Sequence, residues 1–214
     1  MTYVETDVHS SADGVAVIAH DPDLTRTAKR AVRVDHLTMA ELRRIDLGHG
    51  QGFCSLAEAL DAFPQTRFNI DVKSRAAVDP AADAILAARA SHRVLVSSFD
   101  EGRRRAALAR LPGVVSSSSA RRFVVALLGA KLGFSPAVRA ALHGLVAVQV
   151  PERALGLTIT TERVLGQLHA AGVEVHVWTV NDPDRMRELL ELGVDGIVTD
   201  RADLALAVVA ARIR

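Results

Sequence analysis

The sequence predicts an α/β protein in which strands and helices alternate as parallel β-α units. Short runs rich in valine and isoleucine alternate with segments rich in alanine, leucine and arginine from one end of the chain to the other. The apolar runs carry the β-branched residues typical of strands that helices cover on both faces. Helix start and stop signals fall between the runs, which supports the same order of elements.

Seven runs have the composition of strands, and four of the segments between them have helical spacing. The strand-like runs are residues 3–8, 67–73, 93–99, 113–118, 147–151, 174–180 and 196–200. The helical segments are residues 80–91, 101–111, 161–171 and 183–192. Asp182 and Pro183 are typical of a helix start, whereas Gly172 and Gly193 each end a helix before the next strand.

A closed barrel of parallel β-α units needs eight strands, and the chain supplies seven. One further run, residues 15–20, follows the first strand after the turn Ala12-Asp13-Gly14. Asp-Gly between two strand-like runs predicts a β-hairpin, so we interpret this run as an antiparallel partner of the first strand. The sequence therefore predicts a (β/α)8 barrel that lacks one unit and carries a small hairpin. No linker divides the chain, and we expect one domain over residues 1–214.

The composition excludes several classes of function. The formal net charge is +1, whereas nucleic-acid-binding proteins carry a clear basic excess. We interpret two short arginine clusters, residues 103–105 and 121–122, as solvated helix faces, and phosphate binding is the minor alternative. A membrane-spanning helix needs about 18 or more apolar residues in a row, and the sequence contains no such run.

The first residues and the cysteine content lead to expectations about location. Residues 1–7 hold two carboxylates and no apolar run, unlike a signal peptide, and we expect a cytoplasmic protein. Cys54 is the one cysteine of the chain and cannot form an internal disulfide. Because no second cysteine completes a metal site, we interpret Cys54 as a small packed thiol.

The first group of candidate site residues lies on the first strand. Glu5, Asp7 and His9 alternate along it and therefore share one face. Two crowded carboxylates repel each other unless a cation or a basic side chain lies between them. Carboxylate oxygens suit a hard ion such as Mg²⁺ or Ca²⁺. The alternative is an exposed edge strand whose acids are solvated.

The strand-like run 67–73 repeats this pattern. Its polar residues Asn69, Asp71 and Lys73 share one face, and its apolar residues share the other. Because barrel interiors are normally filled with apolar side chains, polar residues at the carboxyl end of a strand indicate a site. The alternative is an internal ion pair between Asp71 and Lys73 on an exposed face. Lys73 could instead bind a phosphate as a compact point charge.

Two further residues complete the candidates. His20 closes the hairpin run and is suited to proton transfer near neutral pH, although a lone histidine in a turn is more often a surface residue. Trp178, the one tryptophan, shares a strand face with His176. It could line a pocket for an apolar or glycerol-like group, or it could pack in the core.

Together these segments resemble the glycerophosphodiester phosphodiesterase family, over residues 3 to about 204. The combination Glu-x-Asp-Val, Asp-Gly and His-Asp is specific to the family, whereas residues 106–145 are not specific. The matching stretches are residues 3–9, 13–14, 17–22, 24–27, 37–38, 41–42, 68–73, 96–99, 177–181 and 192–201. The resemblance implies a TIM-type barrel and a metal-dependent hydrolysis of glycerophosphodiesters to sn-glycerol 3-phosphate and an alcohol.

The resemblance also implies roles for individual residues. Three would bind a divalent cation, Mg²⁺ or Ca²⁺, and they are Glu5, Asp7 and Asp71. His20 would be one of two acid–base histidines. Lys73 would contact the phosphate, and Trp178 would line the glycerol pocket. In the family, the attacking hydroxyl is thought to come from the glycerol of the substrate itself.

The sequence departs from the family pattern in two places. Many members have glutamate where this chain has Asp71. The family also opens with a strand ending in His-Arg-Gly, which carries the other acid–base histidine and a phosphate-binding arginine, and this sequence starts after both. We therefore expect slow turnover by residues 1–214 and self-association through open strand edges. The alternative is an inactive barrel that binds a metal, a phosphate or another protein.

Overall fold

The computed structural model describes residues 3–212, which divide into two compact units. Residues 3–115 form the N-terminal unit, and residues 116–212 form the C-terminal unit. Each unit contains strands followed by helices, as the alternation of the sequence predicts. That residues 1–214 form one domain stays a prediction.

The N-terminal unit contains the following helices and strands, in chain order. They are β1 (Tyr3–Ser10), β2 (Ala16–Ile18), β3 (Asp23–Leu24), α1 (Thr25–Ala28), β4 (Arg30–Arg33), α2 (Met39–Leu42), α3 (Leu56–Ala62), β5 (Arg67–Val72), α4 (Val78–Ala87), β6 (Val94–Ser97) and α5 (Glu101–Arg110). Short 3₁₀ turns lie at Val34–His36 and Ser91–Arg93, and β7 (Val115–Ser116) lies at the boundary of the two units.

The main sheet of this unit has the strand order β2-β1-β5-β6. Strand β1 runs parallel to β5, and β5 runs parallel to β6. The alternation of β1 and β5 sends Val8, Ile70 and Val72 to one face, where they are buried in a core with residues of α3 to α5 such as Leu60 and Ala107. Glu5, Asp7, Asn69 and Asp71 alternate with these residues and therefore lie on the other face.

The predicted hairpin is confirmed. Strand β2 pairs antiparallel with β1, with Val8 opposite Ile18. The turn closes where the Ser11 N–H donates to the Val15 carbonyl oxygen at 2.9 Å and the Gly14 N–H donates to the Ser11 carbonyl oxygen at 3.1 Å. Gly14 has a φ of 75°, a left-handed conformation that glycine adopts without steric cost.

The C-terminal unit contains the remaining elements. They are α6 (Ala120–Leu132), α7 (Ser135–Leu142), β8 (Ala147–Val150), β9 (Arg153–Ala154), β10 (Leu157–Thr158), α8 (Glu162–His169), β11 (Glu174–Val177), α9 (Pro183–Glu191), β12 (Gly196–Ile197) and α10 (Ala202–Arg212). Strand β11 lies between β8 and β12 and runs parallel to both. Its buried Val175 and Val177 pack in one core with Leu165 of α8 and Met186 of α9.

The predicted helix boundaries of this unit are confirmed. The Asp182 carboxylate accepts hydrogen bonds from the backbone N–H groups of Asp184 and Arg185 and so caps α9. Gly172 and Gly193 follow α8 and α9 with φ values of 80° and 100°. Both therefore end a helix in the conformation that favours glycine.

Each of the seven predicted strand-like runs contains a strand, but several observed strands are shorter than predicted. The run 174–180, for example, is a strand only over Glu174–Val177. Val180 is buried although it lies beyond the strand. An apolar composition indicates burial, and it does not distinguish a strand from the buried start of the loop that follows.

Two other sequence expectations can be compared with the structure. Cys54 is exposed, so its interpretation as a packed thiol is wrong. It precedes the N-cap residue of α3 in a loop, where a small side chain need not be covered. None of the helices in residues 3–212 combines the length and hydrophobicity that a bilayer crossing requires.

Candidate active site

The polar residues of β1, β5 and β6 lie at matching levels of one sheet face. Asp7 is in register with Asp71, and Asp71 is in register with Ser97 of β6. One level earlier, Glu5 is in register with Asn69. Because the strands are parallel, their carboxyl ends meet at the same edge of the sheet, and the polar side chains converge there.

The Lys73 ammonium group lies between two carboxylates. Its Nζ donates to Oδ1 of Asp7 at 2.8 Å and to Oδ2 of Asp71 at 2.7 Å. All three side chains are mostly buried. Asp71 and Lys73 therefore form the ion pair of the alternative interpretation, but its expected exposed face is wrong, because the side chains are mostly buried and Asp7 joins the pair across the two strands.

The surroundings of Lys73 keep it charged. Burial by itself lowers the pKa of an ammonium group, but the hydrogen bonds and charges of Asp7 and Asp71 outweigh burial and raise the pKa of Lys73 above its usual value. The aromatic ring of Phe99 also lies near the ammonium group, with its centroid 5.7 Å from Nζ. The site thus holds a fixed positive charge at neutral pH.

Two buried oxygen atoms of this site lack hydrogen-bond partners. They are Oδ1 of Asp71 and Oδ1 of Asn69. A buried acceptor without a hydrogen bond lowers the stability of the fold, so these atoms are suited to accept a hydrogen bond or to bind a cation. Within residues 3–212, however, no group of three His, Cys, Asp or Glu side chains is arranged closely enough to hold a metal ion.

The two histidines near the site differ in exposure. The His20 side chain is 65% exposed, and its Nδ1 lies 2.7 Å from Oδ1 of Asp21. His9 is only 8% exposed, and its Nε2 lies 3.4 Å from the carbonyl oxygen of His20. Burial lowers the pKa of His9, which favours its neutral form. The backbone N–H of Ala19 donates to the carbonyl oxygen of Asp7 at 3.0 Å and so connects the His20 segment to β1.

Arg103 is a site residue that the sequence interpretation missed. Its Nη1 donates to the Lys73 carbonyl oxygen at 2.6 Å, and its Nε donates to Oγ of Ser98 at 2.6 Å. Ser98 in turn donates to the Val72 carbonyl oxygen at 2.8 Å. Arg103 thus stabilises the backbone that carries Lys73.

The interpretation of residues 103–105 as a solvated face is therefore wrong for two of the three. Arg104 is buried and pairs with Glu101. Residues 101–104 form the first turn of α5, directly after the carboxyl end of β6. In a β-α unit this first turn lies near the edge where sites form, and that position is the signal that could have identified Arg103.

Trp178 belongs to the C-terminal unit. It follows β11 directly, is half-buried, and donates its backbone N–H to the Val150 carbonyl oxygen at 3.0 Å. The neighbouring His176 has its Nε2 2.9 Å from Oε2 of Glu174. The role of Trp178 in a glycerol pocket stays a prediction.

Comparison with known proteins places this geometry in a family. The model of the glycerophosphoryl diester phosphodiesterase family matches residues 1–204. A protein of Mycobacterium tuberculosis, named "Probable glycerophosphodiester phosphodiesterase 2", is 42% identical over 211 residues, which cover 98% of this chain and 80% of that protein.

Solved structures show the same fold. The structure of an Oleispira antarctica phosphodiesterase in complex with the product sn-glycerol-3-phosphate has a TM-score of 0.80 at 19% identity, over 98% of this chain and 85% of that one. The crystal structure of a glycerophosphodiester phosphodiesterase from Thermotoga maritima has a TM-score of 0.69 at 27% identity, over 98% of this chain and 84% of that one. The predicted fold class, α/β of the TIM-barrel type, is confirmed, and the lack of the first β-α unit stays a prediction.

Proposed function

Because the chain belongs to the glycerophosphoryl diester phosphodiesterase family, we propose that it hydrolyses glycerophosphodiesters to sn-glycerol 3-phosphate and an alcohol. The observation that carries this proposal is the convergence of Asp7, Asp71 and Lys73 at the carboxyl ends of β1 and β5. This end of the strands is where β-α barrels hold their active sites. The ammonium group of Lys73 in this cluster supports phosphodiester chemistry, since the substrate is an anion.

We propose that Glu5, Asp7 and Asp71 hold a divalent cation, Mg²⁺ or Ca²⁺. The unpartnered Oδ1 of Asp71 supports this proposal, because hard cations take oxygen ligands and a buried free acceptor is suited to one. The neighbouring Oδ1 of Asn69 is a further oxygen of the same kind. When bound, such a cation supplies a Lewis acid for the phosphoryl oxygens and lowers the pKa of the attacking hydroxyl.

Lys73 is proposed to bind the phosphate group. Its raised pKa keeps the ammonium group charged at neutral pH, so it can pair with an anion as a compact point charge. In the structure this charge is compensated by Asp7 and Asp71. A cation bound by those carboxylates would release Lys73 to face the substrate phosphate.

His20 is proposed to transfer the proton. Asp21 holds the ring through Nδ1, which leaves Nε2 as the nitrogen for proton exchange. Hydrogen bonds from Arg26 and from His20 lower the pKa of Asp21, so its carboxylate stays ionised and continues to orient the ring. A positioned acid–base group typically contributes about 10² to 10⁴ in rate. Trp178 is proposed to line the glycerol pocket.

A binding module without turnover is the second candidate function. The complete pairing of Lys73 with two carboxylates favours it, because that pairing compensates two of the three proposed metal ligands. Such a protein would bind a cation or a phosphate and release no product. Self-association through open strand edges and a cytoplasmic location stay predictions.

The test is the release of sn-glycerol 3-phosphate from glycerophosphocholine by the full chain, with Mg²⁺, with Ca²⁺ and with a chelator. We expect release that needs the cation and that Asp71→Asn and His20→Ala abolish. Asp83→Asn is the matched control, because Asp83 is an exposed carboxylate of the same unit that pairs with Arg110. Cation binding without release would support the binding module. Equal release by wild type and Asp71→Asn would contradict the proposed site.

A further inference from the structure

Helices α6 and α7 of the C-terminal unit form a hairpin that exposes large apolar side chains. Two of them, Leu132 and Phe134, lie where α6 ends and α7 begins, and we call them the apolar tip. Leu132 is 81% exposed and Phe134 is 58% exposed. On the outer face of α6, Val125 and Leu128 are each 47% exposed. Several large exposed apolar side chains on one helix hairpin can mark an interaction site.

The backbone holds the apolar tip in a defined conformation. Gly133 ends α6 with a φ of 75°, and the Phe134 N–H donates to the Gly129 carbonyl oxygen at 2.8 Å. A Cβ atom at Gly129 would lie 3.1 Å from Cγ2 of Val138, so glycine allows the two helices to approach closely. The exposure of the tip is therefore a consequence of the helix turn and not of a loose loop.

The charged residues of the hairpin are all positively charged. Between Glu101 and Glu152 the sequence contains eight lysine and arginine residues and no aspartate or glutamate. On the hairpin itself, Arg121 and Arg139 are exposed and Lys131 is half-buried. Among the residues that the structure describes, none of these three forms an ion pair with a carboxylate.

Other charged residues nearby have structural positions. Arg122 donates from Nε to the Ala141 carbonyl oxygen and from Nη2 to the His143 carbonyl oxygen, each at 2.6 Å, and so stabilises the end of α7. Arg163 lies beside the tip, since its Nη2 is 3.1 Å from the Cβ position of Gly133. Its neighbour Glu162 is the first acidic residue of α8. The hairpin and its surroundings thus keep a net positive charge.

We propose that this hairpin binds the surface of a bilayer that contains anionic phospholipids. Exposed apolar side chains on a cationic hairpin can enter the boundary between headgroups and acyl chains, while the cations pair with the anionic headgroups. A contact between two copies through the same face is disfavoured, because a two-fold interface would bring two copies of the same cationic surface together. The charge of the hairpin therefore favours an anionic surface as its partner.

This inference is independent of the proposed catalysis. The hairpin contains none of the residues proposed for the cation, the phosphate or the proton. Binding to lipid can therefore be measured without substrate, and the failure of one proposal leaves the other standing.

The experiment measures co-sedimentation of the full chain with vesicles. One set consists of phosphatidylcholine alone, and the other of phosphatidylcholine and phosphatidylserine in equal parts. We expect binding to the anionic vesicles and weak binding to the neutral ones. The double variant Leu132→Ser with Phe134→Ser should bind the anionic vesicles at least about tenfold more weakly, since burying two large apolar side chains drives insertion. Phe63→Ser, which replaces an exposed aromatic residue of the other unit, is the matched control and should bind as the wild type.

A second variant tests the charge. Replacing Arg121 and Arg139 by glutamine should weaken binding by about fivefold for each charge removed. Both positions are exposed, so the melting temperature should not change. The proposal is wrong if the wild type does not bind anionic vesicles or binds neutral vesicles equally well. It is also wrong if the tip variant and the charge variant both bind anionic vesicles as strongly as the wild type does. Dimers in analytical ultracentrifugation that the tip variant dissociates would show instead that the face joins two copies.

Discussion

Lys73 and Lys131 are both partly buried lysines, and their surroundings differ completely. Lys73 in the N-terminal unit donates to two carboxylates at 2.8 and 2.7 Å. Lys131 in the C-terminal unit lies beside the exposed Leu132, and among the described residues it forms no ion pair. The ammonium group of Lys73 is therefore held by contacts within the fold, whereas the ammonium group of Lys131 is available to an external partner.

The difference follows from where each residue lies in its unit. A buried charge is stable only when partners compensate it, and the parallel register of β1 and β5 supplies both partners of Lys73. On the surface of a helix hairpin, water compensates the charge, so no internal partner is needed. Replacing Lys73 should therefore lower stability, whereas replacing Lys131 should leave stability nearly unchanged and weaken binding to an external partner.

The largest expected effect on stability is that of Lys73→Met. The change leaves Asp7 and Asp71 facing each other without a cation, and we expect the free energy of unfolding to fall by about 3 kcal/mol. Urea denaturation without divalent cations measures it. Lys131→Met is the control and should change the free energy by less than about 0.5 kcal/mol. A variant at Lys73 as stable as the wild type would show that the carboxylates do not depend on Lys73.

The next largest loss of stability is expected for Arg103→Met. This variant removes the hydrogen bonds to the Lys73 carbonyl oxygen and to Ser98, and we expect a loss of about 2 kcal/mol. If Arg103 positions Lys73, the KM for the diester should also rise, and Arg103→Lys should restore part of the affinity. Arg105→Met, at an exposed position of the same helix, should change neither quantity. A loss of stability with unchanged KM would limit Arg103 to a structural role.

Much of the fold could be predicted from the sequence, because its signals are local. The alternation of apolar runs located each parallel strand, and Asp182 marked a helix start. The faces of β1 and β5 also followed from alternation, so Glu5 and Asp7 were placed correctly on the polar side.

The Asp71–Lys73 pair could be predicted because both residues lie on one strand, whereas the contacts of Lys73 with Asp7 and Arg103 could not, because they depend on distant parts of the chain. That Lys73 reaches Asp7 follows from the register of β1 against β5, and these strands are far apart in the sequence. Arg103 reaches Lys73 only because α5 starts beside the end of β5. An arginine cluster looks the same in the sequence whether its members are solvated or bound to backbone oxygens.

The smallest effect on the free energy of unfolding is expected at Ser55, the N-cap residue of α3. The Ser55 side chain and backbone N–H both hydrogen-bond to Glu58, and Ser55→Ala should cost about 1 kcal/mol. These hydrogen bonds lower the pKa of Glu58 from its ordinary value of 4.5, so the stability that they contribute is present above that pH and is lost as the pH falls below it.

Urea denaturation at neutral pH and at pH below 4.5 checks this effect of Ser55→Ala. The difference between wild type and variant should shrink on the acid side. A difference that stays constant with pH would show that Glu58 does not contribute through its charge.

The central claim is that the polar face of β1 and β5 holds a divalent cation, and thermal denaturation with and without Mg²⁺ or Ca²⁺ tests it most directly. A ligand that binds only the folded state stabilises it, so the cation should raise the melting temperature of the wild type. The double variant Glu5→Gln with Asp7→Asn should show no such rise. Asp79→Asn with Asp83→Asn removes two exposed carboxylates of the same unit and should respond as the wild type. An equal rise in the Glu5 and Asp7 variant, or no rise in the wild type, would contradict the account.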